Sequence, residues 1–504
     1  MGIGFIGGAR AGGTVRHRAF AAILLASAAL AGCAVTPKPV TETEMSAVVD
    51  ADRAIIESSA IGVTGPITLE EAVARALKQN LDYRTRLMEQ TLAAGQLDAS
   101  KYDMLPRLLT AAGYSWRDED NIRKSVDSVT GRQSVGNPYI STDRERATWD
   151  IGLSWSILDF GVSYYNAQQN ADRLLVANER RRKAMHNLIQ SVRTTYWRAL
   201  AAQQLREQVR STITEAEAAL ADSRRIQENR VRNPVEPLRY QRNLLENLRL
   251  LENVDRELAV AEIELATLMG VRSGTRFTLV EPGKLDFRPL GGEVARMEEI
   301  ALLNNADLRE QFYNTRIAAT DTRKALVKLL PNISFDYGYK YDGDKYLINQ
   351  MWQEAGSRVA LNLFNLISGP AQIRAAEMNV SAAEAKRMAL QMAVLSQVHL
   401  ARYQYDDALR QYRRAVSISD VDNELAAIAR SQEQSQTGGS LERVSAKVTA
   451  ILSSIRLYHA VAKVNEAISR VQASLGQEPE IGSLDEIPMD TLKEQVRKSL
   501  QQTL

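Results

Sequence analysis

Between Val162 and Asn229 the chain runs for 68 residues without a proline or a glycine. Apolar side chains recur every three or four positions there, through Met185, Leu188, Val192, Tyr196, Ala199, Ala202, Leu205, Val209, Ile213, Ala216 and Leu220, the spacing of a coiled-coil seam. As one helix this stretch would extend on the order of 100 Å, far more than a globular core can cover. A second stretch of the same kind runs from Ala371 to about Gln436. Reversals are expected at Asn233-Pro234-Val235-Glu236-Pro237 and at Thr437-Gly438-Gly439-Ser440, with return helices toward Gly270 and Gly476.

The two long stretches belong to two copies of one plan. Ala76-Leu77-x-x-Asn80-Leu81-Asp82-x-Arg84 returns as Ala301-Leu302-x-x-Asn305-Ala306-Asp307-x-Arg309, and Leu105-Pro106 returns as Leu330-Pro331, both 225 positions later (301 − 76 and 331 − 106). Leu158-Asp159 returns as Phe364-Asn365 and Met269-Gly270 as Leu475-Gly476, both 206 positions later (364 − 158 and 475 − 269). A frame that shifts once marks a tandem duplication with one loop shortened between Pro106 and Asp159. The expected division is a first repeat at 67–270, a connector at 271–292, a second repeat at 293–476 and a tail at 477–504. Each copy reads as helix, strand, loop, strand, very long helix and return helix. The first copy opens on a capping box, Thr68-x-x-Glu71.

Four segments, at about 106–118, 148–160, 331–342 and 357–366, alternate with period two. Leu108, Thr110, Ala112, Tyr114 and Trp116 share one face, and Trp149, Ile151, Leu153, Trp155 and Ile157 form an apolar face against Thr148, Asp150, Gly152, Ser154 and Ser156. Ile333, Phe335, Tyr337, Tyr339 and Tyr341 oppose Asn332, Ser334, Asp336, Gly338 and Lys340, and Val359, Leu361 and Leu363 oppose Arg358, Ala360 and Asn362. About ten residues, apolar on the lipid side and polar inside, is the pattern of a transmembrane β-barrel strand. Trp116, Trp149, Trp155 and Trp352 lie in or beside these segments, as interfacial girdles would require. A half-buried soluble sheet alternates in the same way. Four strands cannot close a barrel in lipid, where the smallest have about eight and open edges leave backbone groups unpaired. Strands pooled from three copies would give twelve.

The N-terminus points to a compartment. Arg10, Arg16 and Arg18 precede an apolar run from Ala19 to Leu30, too short to span a membrane and laid out as a secretory signal peptide at 1–32. It closes on Leu30-Ala31-Gly32-Cys33, a lipobox-like end that makes Cys33 the lipidation site and new N-terminus; the alternative is an incidental cysteine behind an ordinary cleavage site. Ala34 rather than aspartate follows, which favours the outer membrane. Residues 33–66, with Pro37, Pro39 and Pro66, read as an extended lipidated linker. Gly2-x-Gly4-x-x-Gly7 mimics a dinucleotide fingerprint, but it precedes no strand and falls in the removed segment.

Composition narrows the function classes. With 63 Lys and Arg against 61 Asp and Glu, no large basic surface exists for nucleic acid. One cysteine excludes a disulfide framework and multi-cysteine metal sites. The four histidines, His17, His186, His399 and His459, form no metal-ligand spacing. No nucleophile–base motif or phosphate loop is present, so neither an enzyme nor a cofactor is expected.

The duplicated helix–strand–strand–helix plan, the paired Asn-x-Asp-x-Arg and Leu-Pro motifs and Leu158-Asp159-Phe160-Gly161 together resemble the TolC family of outer-membrane efflux proteins. With the lipobox, the likeness is to its lipoprotein branch of OprM-like channels, over about residues 67–476. The resemblance implies a fold that is mainly α with membrane β. It would be a homotrimer with a twelve-stranded outer-membrane β-barrel, four strands per chain, continuous with a long periplasmic α-helical coiled-coil barrel and an equatorial layer from 271–292 and 477–504. It implies a periplasmic adaptor and an inner-membrane pump of RND or ABC type as partners, outer-membrane lipid around the barrel, and passive passage of cargo to the outside. Trp149, Ile151, Leu153, Trp155, Ile157, Phe335, Tyr337 and Tyr339 would face that lipid.

The family closes its periplasmic end with charged residues just after the helical turns. Its acidic positions fall on Glu442 and Ser445, and the repeat frame (442 − 206) puts an equivalent at Glu236. Its lock arginine falls on Gly438 and its tyrosine on Glu433, so Arg230 and Arg232 are the candidates to replace the charge. Converging carboxylates would attract cations; the alternative reading of Glu236 and Glu442 is ordinary acidic charge at a helix N-terminus. Two other functions compete with an efflux duct: a secretion duct for proteins or polymers on the same fold, and a lipid-anchored coiled-coil scaffold without a pore.

Overall fold

The computed structural model describes residues 37–59, 62–63, 65–133, 138–228, 235–272, 274–281, 283, 287–435, 439–479, 481, 484 and 486–501. Helix α1, Glu42–Ser59, belongs to a unit of its own. Its presence corrects the expectation of an extended linker. Thr41 and Glu44 form a reciprocal cap: the Thr41 hydroxyl accepts from the Glu44 N–H at 3.3 Å, and the Glu44 carboxylate accepts from the Thr41 N–H at 2.9 Å. That capping box starts a helix wherever the following residues permit one.

The second unit holds everything else. Helices α2 (Leu69–Gln79) and α3 (Leu81–Tyr102) replace the single helix expected before the first strand. They part at Asn80, whose backbone is extended (φ −67°, ψ 120°) and whose side chain caps α3 by accepting from the Tyr83 N–H at 3.0 Å. Strand β1 is Arg107–Trp116; a small hairpin, β2 (Ile122–Arg123) with β3 (Tyr139–Ile140), precedes β4 (Glu145–Ser156). Helix α4 runs Ile157–Glu228, 72 residues, and α5 returns as Val235–Leu268. The second copy follows as α6 (Val294–Asn304), α7 (Ala306–Val327), β5 (Asn332–Asp342), β6 (Met351–Ala360), α8 (Leu363–Gln434, also 72 residues) and α9 (Ser440–Leu475), with α10 (Met489–Gln501) in the tail. The repeat frame holds element by element. α6, α7 and β5 start 225 positions after α2, α3 and β1 (294 − 69, 306 − 81, 332 − 107), and β6 and α8 start 206 after β4 and α4 (351 − 145, 363 − 157).

Two strand ends differ from expectation. β4 stops at Ser156 rather than near 160, because the Ser156 hydroxyl accepts from the Asp159 N–H at 3.0 Å and caps α4. Ile157 is therefore the first residue of a helix, not the last of a strand. β6 spans 351–360 rather than 357–366, and Asn362 caps α8 by accepting from the Phe364 N–H at 3.1 Å. Leu361 and Leu363 thus lie outside the sheet. Helix α8 starts at Leu363 rather than Ala371 and absorbs Gly369 and Pro370.

The four long strands form one antiparallel sheet in the order β1-β4-β5-β6. The helices next to the sheet adjoin in the parallel order α3-α4-α7-α8, and the helices toward the turns in the order α5-α4-α9-α8. Every level thus ends on the same two sides, one formed by β1, α3 and α5, the other by β6 and α8. Apolar packing concentrates in three clusters. One gathers α2 and α10 on α4 around Tyr196 and Trp197, one joins α4, α5 and α9 near the turns, and one joins α6 and α7 to α8 and α9 around Tyr405.

Candidate functional site

The sheet sorts side chains by face, as its period-two sequence dictates. Register pairs Trp149 with Tyr341, Ile151 with Tyr339, Leu153 with Tyr337 and Trp155 with Phe335. Trp149 stacks on Tyr339 and Tyr341 at 6.0 and 5.9 Å between centroids, and Trp155 on Phe335 at 6.4 Å. Trp149, Ile151, Leu153, Phe335, Tyr337 and Tyr339 are each more than a third exposed, although all are large and apolar. The opposite face carries Arg107, Arg146, Lys340 and Arg358 against Asp150, Asp336, Asp342 and Glu354, four charges of each sign. Lys340 pairs with Glu354 at 2.7 Å, and Arg146 donates to Asp342 at 2.6 Å. Trp352 belongs to this polar face, beside Lys340 and donating to Glu354 at 3.4 Å. It is therefore not part of an aromatic girdle. The sheet ends on β1 and β6, exposed along their whole length, each with one edge unpaired within the chain.

Below the sheet, the two repeats are joined by equivalent joints. Asn80 caps α3 and also donates to the Leu268 carbonyl at the end of α5, at 3.4 Å. Asn305 does the same at the second joint, accepting from the Leu308 N–H at 3.1 Å and donating to the Ser474 carbonyl at 3.1 Å. Each asparagine thus welds the start of one helix to the end of another, which is why the motif recurs. Gly476 (φ +66°) lies so close to the Asn304 carbonyl oxygen that a Cβ would collide with it. Arg182 of α4 ties the second joint down, donating to the carbonyls of Asn304 and Gly476 at 3.2 Å each and to the Glu478 carboxylate at 2.9 Å. Burial alone would raise the Glu478 carboxyl. The hydrogen bonds from His186 and Arg182 outweigh it and hold the group down at about 2.

Near the turns, three helices meet through charge. Glu215 of α4 accepts from Arg443 at 2.5 Å and from Lys447 at 2.7 Å, both on α9, and Arg443 also reaches Glu433 of α8 at 2.5 Å. Burial would raise the Glu215 carboxyl, but Lys447 and Arg443 hold it down at about 2. Glu442 stands in the first turn of α9 and Ser445 one turn further, both exposed and both turned away from this cluster. Glu236 lies in the first turn of α5. Cys33, Arg230, Arg232 and the side chain of Glu236 lie outside the described residues. The sequence reading missed Glu215, Arg443 and Lys447. Its one available signal was the basic pair at i, i+4 behind Glu442; the partner lies 228 positions away.

Among the described residues no group of three His, Cys, Asp or Glu side chains could hold a metal ion, and no helix is long and apolar enough to cross a membrane.

Residues 72–271 match the outer membrane efflux protein family. That segment spans the first repeat, from α2 through the end of α5. The fold agrees over most of the chain. The Campylobacter jejuni CmeC outer membrane channel superposes with a TM-score of 0.64 at 14% identity, over 86% of this chain and 90% of that one. The open state of the Neisseria gonorrhoeae MtrE outer membrane channel gives 0.62 at 15%, over 81% and 88%. The outer membrane protein VceC of Vibrio cholerae gives 0.59 at 14%, over 81% and 96%. No curated protein matches the chain. The mainly helical fold with a four-stranded sheet is shared with these outer membrane channels.

Proposed function

We propose that the chain is one third of a lipid-anchored exit duct that carries cargo passively across the outer membrane, handed on by a periplasmic adaptor and an inner-membrane pump of RND or ABC type. The observation that carries this reading is the shared order of the three levels. Sheet, upper helices and lower helices all leave the same two sides open, β1-α3-α5 and β6-α8. One head-to-tail operator therefore satisfies all of them at once, and a heterologous contact that closes makes a ring. In lipid the unpaired edges of β1 and β6 would cost several kcal/mol per backbone group, so the sheet needs neighbours. Three copies give twelve strands, enough to close a barrel.

The apolar side chains left exposed agree with this. On α8, Ile418, Val421, Leu425 and Ile428 keep heptad spacing without a partner in the chain, and Leu238, Leu245 and Ile263 do so on α5, at the other open side. Within the ring, Trp149, Ile151, Leu153, Trp155, Phe335, Tyr337 and Tyr339 would face lipid. The periplasmic mouth would be ringed by Glu442, with Ser445 above it and Glu236, Arg230 and Arg232 at the neighbouring turn. The Glu215–Arg443–Glu433 cluster would hold the α4, α8 and α9 ends together beside that mouth. Cys33 would carry the acyl anchor.

Two measurements test the reading. Ala111→Cys on β1 combined with Gly356→Cys on β6 should yield oxidant-dependent oligomers that stop at three copies, and the purified protein should open conducting pores in planar bilayers. A monomer in mild detergent that conducts nothing would return the chain to the class of pore-less scaffolds. Cys33→Ser should abolish incorporation of labelled fatty acid; unchanged incorporation contradicts the anchor.

A further inference from the structure

Nine residues make two and a half turns of α-helix, so residues nine apart point in opposite directions. Two helices can be oriented this way against the layer built by the connector and the tail. The Tyr196 hydroxyl of α4 donates to the carbonyls of Ile67 and Val280 at 3.0 and 2.6 Å, and Gln472 of α9 donates to the Ser499 carbonyl at 3.2 Å. Asn187 and Lys463 stand nine positions from Tyr196 and Gln472 and are exposed. They mark the face turned away from that layer.

On α9 this face is a stripe with a spacing of seven: Glu442, Thr449, Arg456, Lys463 and Arg470, all exposed. Its charges do not cancel. Arg470 is bound to Glu466 at 2.6 Å, Lys183 to Asp307 at 2.7 Å, and Asp407 holds Arg410 at 3.2 Å. Asp407 and Glu466 border the groove that also contains Lys463, but both already serve an arginine. Arg456 and Lys463 make no ion pair among the described residues. Arg456 and Lys463 are about 10 Å apart along the helix, close to the screening length at physiological salt, so their fields add. Glu442 lies roughly 20 Å further down and does not offset them. The polar face of the sheet, with four charges of each sign, opposes nothing.

We propose that this face is an anion-attracting band in the wall of the duct, and that Arg456 and Lys463 determine a preference for anionic cargo. The proposal rests on the duct reading and deepens it. Three copies would set six such cations around one passage, and a charged wall beside low-dielectric surroundings concentrates the counter-ion before it passes. Cargo would enter past acidic Glu442 and then meet the basic band, which supplies the attraction for anionic groups.

The experiment is the reversal potential of the full-length protein in a planar bilayer under a KCl gradient at low salt. It compares the wild type with Arg456→Gln plus Lys463→Gln and with Arg456→Glu plus Lys463→Glu. The cation-to-anion permeability ratio should rise from the first to the second to the third, by about tenfold overall, and inorganic polyphosphate should block the wild type but not the double glutamate variant. Should the glutamate variant fail to form pores, the uncharged pair carries the measurement. Pores of normal size with one ratio in all three proteins overturn the band. A wild type that never conducts overturns the duct reading and the band with it.

Discussion

Helix α9 packs on α8 and α4 through apolar side chains, but only the α4 side adds a network of buried polar groups. Against α8 the seam is apolar, with Val464, Ala467, Ile468, Val471 and Leu475 packed in one cluster with Val394, Val398, Ala401 and Tyr405. Against α4 the apolar cluster of Val444, Val448, Ile451 and Ile455 with Ala202, Leu205, Val209 and Ala216 is accompanied by buried polar groups. Arg193, 3% exposed, donates to Ser469 at 3.1 Å, to Gln472 at 3.3 Å and to Asn465 at 3.1 Å, and lower down Glu215 takes Arg443 and Lys447. The first seam lies inside the second repeat, the second between the repeats. Apolar burial stabilises any close fit and is not directional, whereas donors and acceptors are satisfied in one alignment only. Apolar packing therefore supplies most of the cohesion on both sides, and the polar groups on the α4 side set how the two copies are registered.

The largest expected effect breaks the apolar side. Tyr405→Ala removes a fully buried ring and its bond to the Arg288 carbonyl, and should cost about 3–5 kcal/mol, read as a lower thermal unfolding midpoint. Arg193→Ala tests the polar side. Burial pulls that guanidinium down to about 10, so it stays charged at neutral pH, and its three partners are neutral side chains rather than carboxylates. Its loss removes three hydrogen bonds from a buried site and should cost about 2–3 kcal/mol. Replacing it by methionine together with Asn465→Leu and Ser469→Ala should be nearly neutral. If the triple variant is as unstable as Arg193→Ala, register is not what the seam provides.

Smaller effects are expected where charge is only partly covered. Glu478→Gln should cost about 1–3 kcal/mol near neutral pH. Because its folded pKa is depressed, from 4.5 to about 2, the wild-type stability it adds is complete above pH 4.5 and disappears as pH falls toward 2; unfolding midpoints of the variant should lose that slope. Arg443→Ala, at the half-exposed cluster near the turns, should change stability by about 1 kcal/mol or less. Its readout is the open probability of single channels, which should rise if the cluster holds the mouth narrow.

Much of this molecule could be read from local pattern. The repeat frame of 225 and then 206 positions emerges again in the helix and strand starts, because each copy folds by the same short-range rules. Thr68 and Asn362 cap helices as side chains of their type do. The Thr41–Glu44 box was equally legible and was passed over for the prolines before it. Ile157 and Trp352 show the limit of alternation. Each continues a plausible period, yet one is captured by a helix cap and the other stands on the charged face.

What the sequence determined by itself is therefore everything set by neighbours within a turn or a strand: long helices, alternating strands and the duplication. The pairing of Glu215 with Arg443, the counter-charge-free burial of Arg193 and the unopposed cations on α9 were decided only by tertiary structure. Such contacts join residues hundreds of positions apart, and periodicity records which face of an element is apolar but not which element will lie against it.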